Sequence, residues 1–439
     1  MHVSWLDWAT PAGSRLKQPA FVGLLFAARF IRLFAYGALS VVLVFYLIGI
    51  GLTEAQTGLL LALTLLGDTA VSLFITTRAD RAGHRRMLLV GALLMIAAGV
   101  VFAFTNNFSL LVLTAIVGII SPSGQEVGPF LPIEQAMLAG VTTDENRTRV
   151  FAWYTLAGTF ATALGALTAG FVVQVNDYAG KPIDSYRAVV LLYAGLGSAL
   201  ALLFWRLPHD AGPARDERRT NRETMAGLAG VEKSRSIVVQ LSALFALDAF
   251  GGGFIAQSFA AYWFHLRFGI NPATLGPIFF AANLLAGVSA LVAARLAARF
   301  GLIRTMVWTH LPSNVLLILI PLMPTLWLAV LLLLVRFSIS QMDVPTRQAY
   351  VIAVVAPEER AAAGGVTGIA RTLGAAISPL FVGLMFAQPS TIHLPFFLAG
   401  GLKIGYDLLL YRRFAGSDTG AISGASPVSS ACSRSFSRK

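Results

Sequence analysis

Long apolar runs alternate with short polar segments along most of the chain. The runs lack the strict alternation of barrel strands, and each holds about the 20 residues that a helix needs to cross a bilayer core. The pattern therefore predicts an all-α membrane protein with twelve transmembrane helices. Their expected positions are approximately 20–48, 55–77, 87–105, 108–140, 150–174, 187–206, 237–266, 273–297, 306–322, 325–356, 362–386 and 393–411.

Composition and charge support this architecture and indicate an orientation. The chain is 56% hydrophobic and only 12% charged, with a net charge of +12. Basic residues concentrate in alternate connecting segments, which would all lie on the side of the N-terminus. By the positive-inside rule we expect both termini in the cytoplasm and a multi-pass protein of the plasma (inner) membrane. The basic surplus is then an orientation signal, so no nucleic-acid partner is expected.

An internal repeat divides the predicted spans into two halves. "GLTEAQTG" at 51–58 matches "GINPATLG" at 269–276, and "PIEQAMLAGVTTDENR" at 132–147 matches "PTRQAYVIAVVAPEER" at 345–360. Two pseudo-symmetric six-helix halves follow, as in transporters built from repeats. The expected organisation is a cytoplasmic segment at 1–19, the N-terminal half at 20–206, a cytoplasmic central loop at 207–236, the C-terminal half at 237–411 and a disordered cytoplasmic tail at 412–439.

A basic turn between spans 2 and 3, "RADRAGHRRML" at 78–88, has a recognisable pattern. With Asp, a basic residue, Gly and two further basic residues in fixed order, it resembles the signature of the major facilitator superfamily, although Thr76 replaces the leading glycine. The resemblance implies the major facilitator fold. It also implies a conformational latch, in which Asp80 accepts hydrogen bonds at a helix N-terminus near Ala362. The matching residues and their repeat equivalents are Asp80, Arg81, Gly83, Arg85, Arg86, Arg299, Gly301 and Arg304.

Charged residues inside the predicted spans are candidates for the substrate or proton pathway. Each costs at least about 2.5–3.5 kcal/mol at the bilayer centre, so it needs a partner, a cavity or a function. The candidates are Arg29, Arg32, Asp68, Glu126, Glu134, Asp248, Arg336, Asp343, Arg347 and Arg371. Lys403 and Asp407 are four residues apart, and we expect them to form a local ion pair on one helix face.

Two of these candidates occupy equivalent repeat positions with opposite charge. Glu134 and Arg347 are each followed by Gln and Ala. A cross-half ion pair is therefore expected, either permanent or formed in one conformational state only. Arg29 and Arg32 in span 1, with Asp248 in span 7, are a looser counterpart.

Span 4 contains "SPSGQEVGP" at 121–129, whose prolines disfavour a continuous helix. The break is either a simple kink or the lining of a cavity. In the second case Glu126, inside the break, is the expected proton-binding carboxylate, and Asp343, next to Arg347, is the second choice.

These features favour a secondary active transporter working by alternating access. Proton-coupled efflux of a drug-like compound or metabolite is the first choice. Import of a small organic anion or nutrient, and a non-transporting receptor with the same fold, are the alternatives. No Walker loop, HExxH or nucleophile elbow is present, so neither an enzyme nor ATP-driven pumping is expected. The expected partners are a small-molecule substrate, a proton or other coupling ion and the bilayer; we expect a monomer without cofactor or metal.

Overall fold

A computed structural model describes residues 18–126, 128–142, 144–177, 182–208 and 231–414. The predicted N-terminal segment, central loop and tail fall largely outside these residues, and so do the side chains of Asp80 and Arg81. The described part contains fifteen α-helices: α1 Gln18–Gly49, α2 Glu54–Ala82, α3 His84–Phe104, α4 Phe108–Val117, α5 Phe130–Val141, α6 Asp144–Asp177, α7 Pro182–Trp205, α8 Arg235–Gly253, α9 Gln257–Phe268, α10 Pro272–Phe300, α11 Leu302–Leu319, α12 Leu326–Ser340, α13 Asp343–Val354, α14 Arg360–Phe386 and α15 Leu394–Phe414.

These helices agree with the predicted membrane spans. Within the described residues, eleven helical spans are long and apolar enough to cross a bilayer. The fourth predicted span is instead two short apolar helices, α4 and α5, separated by a non-helical segment that contains Pro122 and Pro129. Proline lacks the N–H that a continuous helix requires, so the predicted break is confirmed. Spans 7 and 10 are also interrupted, between α8 and α9 and between α12 and α13.

The two glycines of the repeated basic turn have the same backbone conformation. Gly83 connects α2 to α3 with a φ of 95°, and Gly301 connects α10 to α11 with a φ of 91°. Residues with a Cβ rarely adopt such angles, whereas glycine does so at little cost. The tight turn expected at Gly83 is therefore present, and its repeat equivalent is present too.

The chain forms two compact units. The first comprises Met1–Arg222, Ile255–Leu284 and Ala376–Ile392. Within it, α1 packs along α6 and α7. The glycines that end the two repeat motifs allow close helix contacts there: a Cβ added to Gly58 would lie 2.8 Å from the Cα of Gly383, and one added to Gly276 would lie 2.7 Å from the Cα of Gly170. Backbones can approach this closely only where side chains are absent.

The second unit comprises Glu223–Phe254, Leu285–Ala375 and His393–Lys439. In this unit α11 packs against α15, α12 and α13, and α15 packs against α8. Its apolar core includes the buried rings of Phe245, Tyr350 and Tyr406. These packed helices hold the charged side chains of the second unit in fixed positions.

A buried glutamate caps the first helix of the second unit. Glu359 lies in a short 3-10 helix, Pro357–Glu359, and accepts hydrogen bonds from the backbone N–H groups of Glu232, Lys233 and Ser234 at 2.8, 2.7 and 2.9 Å. These donors immediately precede α8. Burial by itself would raise the pKa of Glu359, but the backbone N–H and Ser234 hydroxyl donors hold it below its usual value.

This cap predicts an acid-sensitive contribution to stability. We expect Glu359→Ala to cost about 1 kcal/mol at neutral pH, as for a lost helix cap. Because the folded-state pKa is lowered, the carboxylate's contribution is complete above the usual glutamate value and disappears as the pH falls below it. Thermal unfolding in detergent, from neutral pH to about pH 3, measures both effects. The exposed neighbour Glu358→Ala is the control, and equal midpoints for Glu359→Ala and Glu358→Ala would contradict the cap.

Candidate functional site

Five side chains of the first unit form a buried ionic network, which we call the first charge cluster: Arg29, Arg32, Glu126, Glu134 and Tyr154. The two arginines lie one turn apart on α1, Glu134 on α5 and Tyr154 on α6, while Glu126 lies in the break of span 4. Arg32 donates from Nη1 and Nη2 to the two carboxylate oxygens of Glu134, both at 2.7 Å. The Tyr154 hydroxyl also donates to Glu134.

Glu126 accepts from both arginines of this cluster. Arg32 Nε lies 2.7 Å from Glu126 Oε1, and Arg29 Nη1 lies 2.9 Å from Oε2. Gly158 of α6 provides the space for Arg29, because a Cβ at that position would lie 2.6 Å from Arg29 Nε. The segment between α4 and α5 is thus tied to α1 by two ion pairs.

Burial determines the strength of these contacts. The side chains of Arg32 and Glu134 are fully buried, and the Arg32 guanidinium lies 4.8 Å from the centre of the Phe130 ring. Two parallel N–H···O bonds between a guanidinium and a carboxylate are the strongest form of such a pair. A buried charge that loses its partner costs several kcal/mol, so the stability of the cluster depends on the presence of every member.

A further carboxylate, Asp68 of α2, is buried in the first unit. Its residue exposure is 4%, and its Oδ1 atom has no hydrogen-bond partner among the described residues. The ion pairs found in the described part of the chain do not include Asp68. Counted with Asp68, two buried arginines of this unit face three buried or nearly buried carboxylates.

The second unit contains its own buried network, centred on Asp248 of α8. Lys403 Nζ of α15 lies 2.6 Å from Asp248 Oδ1, while Arg347 Nη1 of α13 and Arg371 Nη1 of α14 lie 3.2 and 3.1 Å from Oδ2. Arg347 Nη1 also lies 2.8 Å from Asp343. One carboxylate therefore joins three helices through three cations. We call these residues, with those of the next paragraph, the second charge cluster.

The second charge cluster continues to a histidine. His310 Nδ1 lies 2.8 Å from Asp407 Oδ1, and Asn314 Nδ2 donates to Asp407 Oδ2 at 3.0 Å. The expected local pair of Lys403 with Asp407 is therefore wrong: Lys403 contacts Asp248 on another helix. His310 and Asn314 are not among the candidates predicted from the sequence. Two polar residues four positions apart inside a predicted span could have indicated them.

Arg336 of α12 is a buried cation of this unit for which no ion pair is found among the described residues, although Asp343 lies close enough to attract it. Its Nε has no hydrogen-bond partner in this part of the chain. With it, four cations of the spans of the second unit face three carboxylates: Arg336, Arg347, Arg371 and Lys403 against Asp248, Asp343 and Asp407. Among the described buried residues, the first unit thus has one negative charge in excess and the second unit has one positive charge in excess.

In the conformation described, Glu134 and Arg347 each have other partners, so a permanent cross-half ion pair is not found, and a pair formed in another conformational state stays a prediction. Glu134 is occupied by Arg32 and Tyr154 of its own unit, and Arg347 by Asp248 and Asp343 of its own. Arg29 and Arg32 likewise contact Glu126 and Glu134 in this conformation, and Asp248 contacts Lys403, Arg347 and Arg371. Within each unit, most of the buried charges meet opposite charges from other helices of the same unit.

Two further expectations concern the latch and metals. The glycine turns at Gly83 and Gly301 are described above, while the contacts of Asp80 and Arg81 lie outside the described side chains. Within the described residues, no group of three or more His, Cys, Asp or Glu side chains has an arrangement that could hold a metal ion.

Apolar spans in two repeated sets, with charges buried inside each set, define a polytopic membrane protein of the transporter type. The Major Facilitator Superfamily model matches residues 25–379 and 241–427, and the chain belongs to this family. It is 31% identical to the uncharacterized membrane protein YJR124C of Saccharomyces cerevisiae over 90% of this chain and 94% of that protein. It is 22% identical to the quinolone resistance protein NorA of Staphylococcus aureus over 85% of this chain and 92% of NorA.

The fold is also similar to that of solved transporters. The crystal structure of a D-xylose–proton symporter superimposes on this chain with a TM-score of 0.70 and 15% sequence identity. The match covers 90% of this chain and 97% of the symporter chain. At this identity the likeness concerns the fold. Fold and family together confirm the expected major facilitator architecture and a transporter rather than an enzyme.

The first charge cluster predicts strong coupling between Arg32 and Glu134. We expect Arg32→Met to destabilise the protein by about 3–5 kcal/mol, because it leaves Glu134 with a buried charge. Arg32→Met combined with Glu134→Met should cost less than the sum of the single variants. Thermal and denaturant unfolding in detergent measure this cycle. Arg187→Met, which breaks an exposed pair with Asp184, is the control and should cost less than about 1 kcal/mol. Additive effects of Arg32→Met and Glu134→Met would contradict the pairing.

The second charge cluster predicts a ranking of two aspartates. Asp248→Asn leaves three cations without their shared carboxylate, whereas Asp343→Asn removes one of the two carboxylates that contact Arg347. We therefore expect a larger fall in the unfolding midpoint for Asp248→Asn. An equal or larger fall for Asp343→Asn would show that Asp248 is not the centre of the network.

Proposed function

We propose that this protein is a proton-coupled secondary transporter that exports a small amphipathic compound carrying an anionic group. The observation that carries the proposal is an opposite charge surplus among the described buried residues of the two units: the carboxylate of Asp68 in the first and the guanidinium of Arg336 in the second have no ion pair there. An uncompensated charge at membrane depth marks an ion or substrate pathway.

The cationic surplus supports the choice of substrate class. Arg336 is buried without an ion-pair partner among the described residues, and the side chain of Arg371 is 33% exposed although it contacts Asp248. A guanidinium binds carboxylates through paired N–H donors, so a compound with a carboxylate and an apolar body matches these groups. Quinolones have this chemistry, and the name of the relative NorA associates it with quinolone resistance.

The proton as coupling ion and the export direction complete the proposal. The first unit needs one positive charge to balance its buried carboxylates, and a proton supplies it. Export is chosen on the relationship to NorA. The distribution of basic residues supports a plasma (inner) membrane protein with both termini in the cytoplasm. The latch between conformational states in this proposal comprises Asp80, Arg81, Gly83, Arg85, Arg86, Arg299, Gly301 and Arg304.

Import of a small organic anion is the second candidate. The same surplus guanidinium of Arg336 favours it, since an anion that enters together with a proton would satisfy both units at once. A receptor that binds such a compound without moving it is the third candidate. Net flux separates the three.

A fluorescent quinolone, norfloxacin, is a suitable probe. Cells that lack their own drug exporters and express the wild-type protein should retain several-fold less norfloxacin than cells with an empty vector, and a protonophore should abolish the difference. Arg336→Gln should lose most of the effect, while Arg206→Gln, at an exposed arginine that follows α7, should keep it.

Each alternative result overturns part of the proposal. Greater retention than in empty-vector cells would indicate import. Unchanged retention by a protein that reaches the membrane would exclude quinolone-class export, and retention that is lowered even with the protonophore present would exclude coupling to protons.

A further inference from the structure

We propose that the Asp68 carboxylate is the proton-binding site through which the ion gradient drives transport. This inference deepens the proposed function and rests on it. It replaces the expectation that Glu126 binds the proton, because Glu126 is held by two arginines. Asp343, the second choice, is paired with Arg347.

Burial without compensation is the first argument. Asp68 lies on α2 fourteen residues before Ala82, or about 21 Å along the helix, well inside the span. Its Oδ1 atom is buried without a hydrogen-bond partner among the described residues, and the nearby hydroxyl of Ser72, one turn further on, carries no charge that could balance the carboxylate. An isolated ionised carboxylate in an apolar surround is very costly, whereas the neutral acid is tolerated. Binding or release of a proton at Asp68 therefore changes the free energy of burying this side chain by a large amount.

The groups that face Asp68 do not supply a positive charge. Glu126, in the span 4 break, is an acid already paired with Arg29 and Arg32, and the backbone N–H of Gly128 interacts with the Asp68 carboxylate without supplying a full charge. Tyr36 of α1 and Tyr193 of α7 are the other titratable groups that interact with it. On α5, Glu134 is neutralised by Arg32. Helix α4 has no charged residue, and the charges of α3, at His84, Arg85 and Arg86, lie in its first turn, far from Asp68 along the bundle.

The break of span 4 connects Asp68 to the first charge cluster. Gly128 interacts through its backbone N–H with Asp68, and Glu126, two residues earlier, binds Arg29 and Arg32. Protonation of Asp68 removes the charge that attracts the Gly128 N–H and repels Glu126. The segment between α4 and α5 then makes two alternative sets of contacts, one for each protonation state of Asp68. This is the physical link that coupling requires.

The surroundings favour a proton over a metal cation. A hard cation is bound by several oxygen atoms at once. Of the two carboxylates near this position, Glu126 is engaged by Arg29 and Arg32, so among the described residues only the Asp68 carboxylate is left to bind a cation, and the Gly128 N–H points its positive end towards it. A proton needs only the free Oδ1 atom.

Infrared spectroscopy tests the site without any substrate. Purified protein in lipid nanodiscs is titrated with pH while the C=O stretching band of protonated carboxylic acids is recorded. We expect the wild type to show this band at neutral pH and to lose it on alkalinisation. Asp68→Asn should lose the band entirely, while the exposed Asp184→Asn should keep it. If Asp68→Asn is not recovered folded, Asp68→Glu should shift the band instead.

The outcomes separate this site from the proposed function. A band that persists in Asp68→Asn, is unshifted in Asp68→Glu, or is absent from the wild type at neutral pH overturns the assignment even if norfloxacin is exported. Loss of the wild-type band on addition of NaCl, but not of choline chloride, at constant pH would identify a sodium site and overturn it as well. A band that depends on Asp68 in a protein that does not export norfloxacin supports the site and refutes only the substrate class.

Discussion

The cost of burying charge determines how this protein is built. Ten or more ionisable side chains lie at membrane depth, and none can rely on water for stabilisation. The helices therefore pack so that opposite charges meet, as with Arg32 and Glu134, whose side chains are both fully buried. Tyr154 and Gly158 of α6 complete this arrangement, one by donating a hydrogen bond and the other by leaving space for Arg29. Helix packing and the pairing of opposite charges here favour the same arrangement of these side chains.

The two units pair their buried charges through different sets of residues, although the backbone turn is repeated. The repeated turn has glycine in the same left-handed conformation in both halves, at Gly83 and Gly301. The charge networks do not repeat in this way. The first unit uses two arginines around two glutamates, and the second gathers three cations around Asp248. This asymmetry leaves one surplus charge of each sign, which is what a carrier of a proton and an anionic substrate would need.

Interrupted helices place functional groups where continuous helices could not. The non-helical segment between α4 and α5 brings Glu126 to Arg29 and Arg32, and brings the N–H of Gly128 to Asp68. Backbone of this kind is tolerated at membrane depth only where it is enclosed by protein or lines a polar path. The breaks of spans 7 and 10 likewise lie beside Asp248 and Asp343 of the second cluster.

The amino-acid sequence alone predicts the spans, the repeat, the glycine turn and the break of span 4. Each of these depends on local composition or on residues close together in the chain, so periodicity and proline placement are sufficient. It also identified most of the buried charges, because a charge within a long apolar run is conspicuous.

The partners of these charges are known only from the folded structure. Repeat symmetry suggested that Glu134 pairs with Arg347, and helical spacing suggested that Lys403 pairs with Asp407, yet Arg32 and Asp248 are the partners found. A side chain reaches only a few ångströms, so its partner depends on helix rotation and packing, which small residues such as Gly158 control at a distance in sequence. For the same reason, only the folded chain distinguishes Asp68, whose carboxylate lacks a counter-charge, from Glu126, which has two.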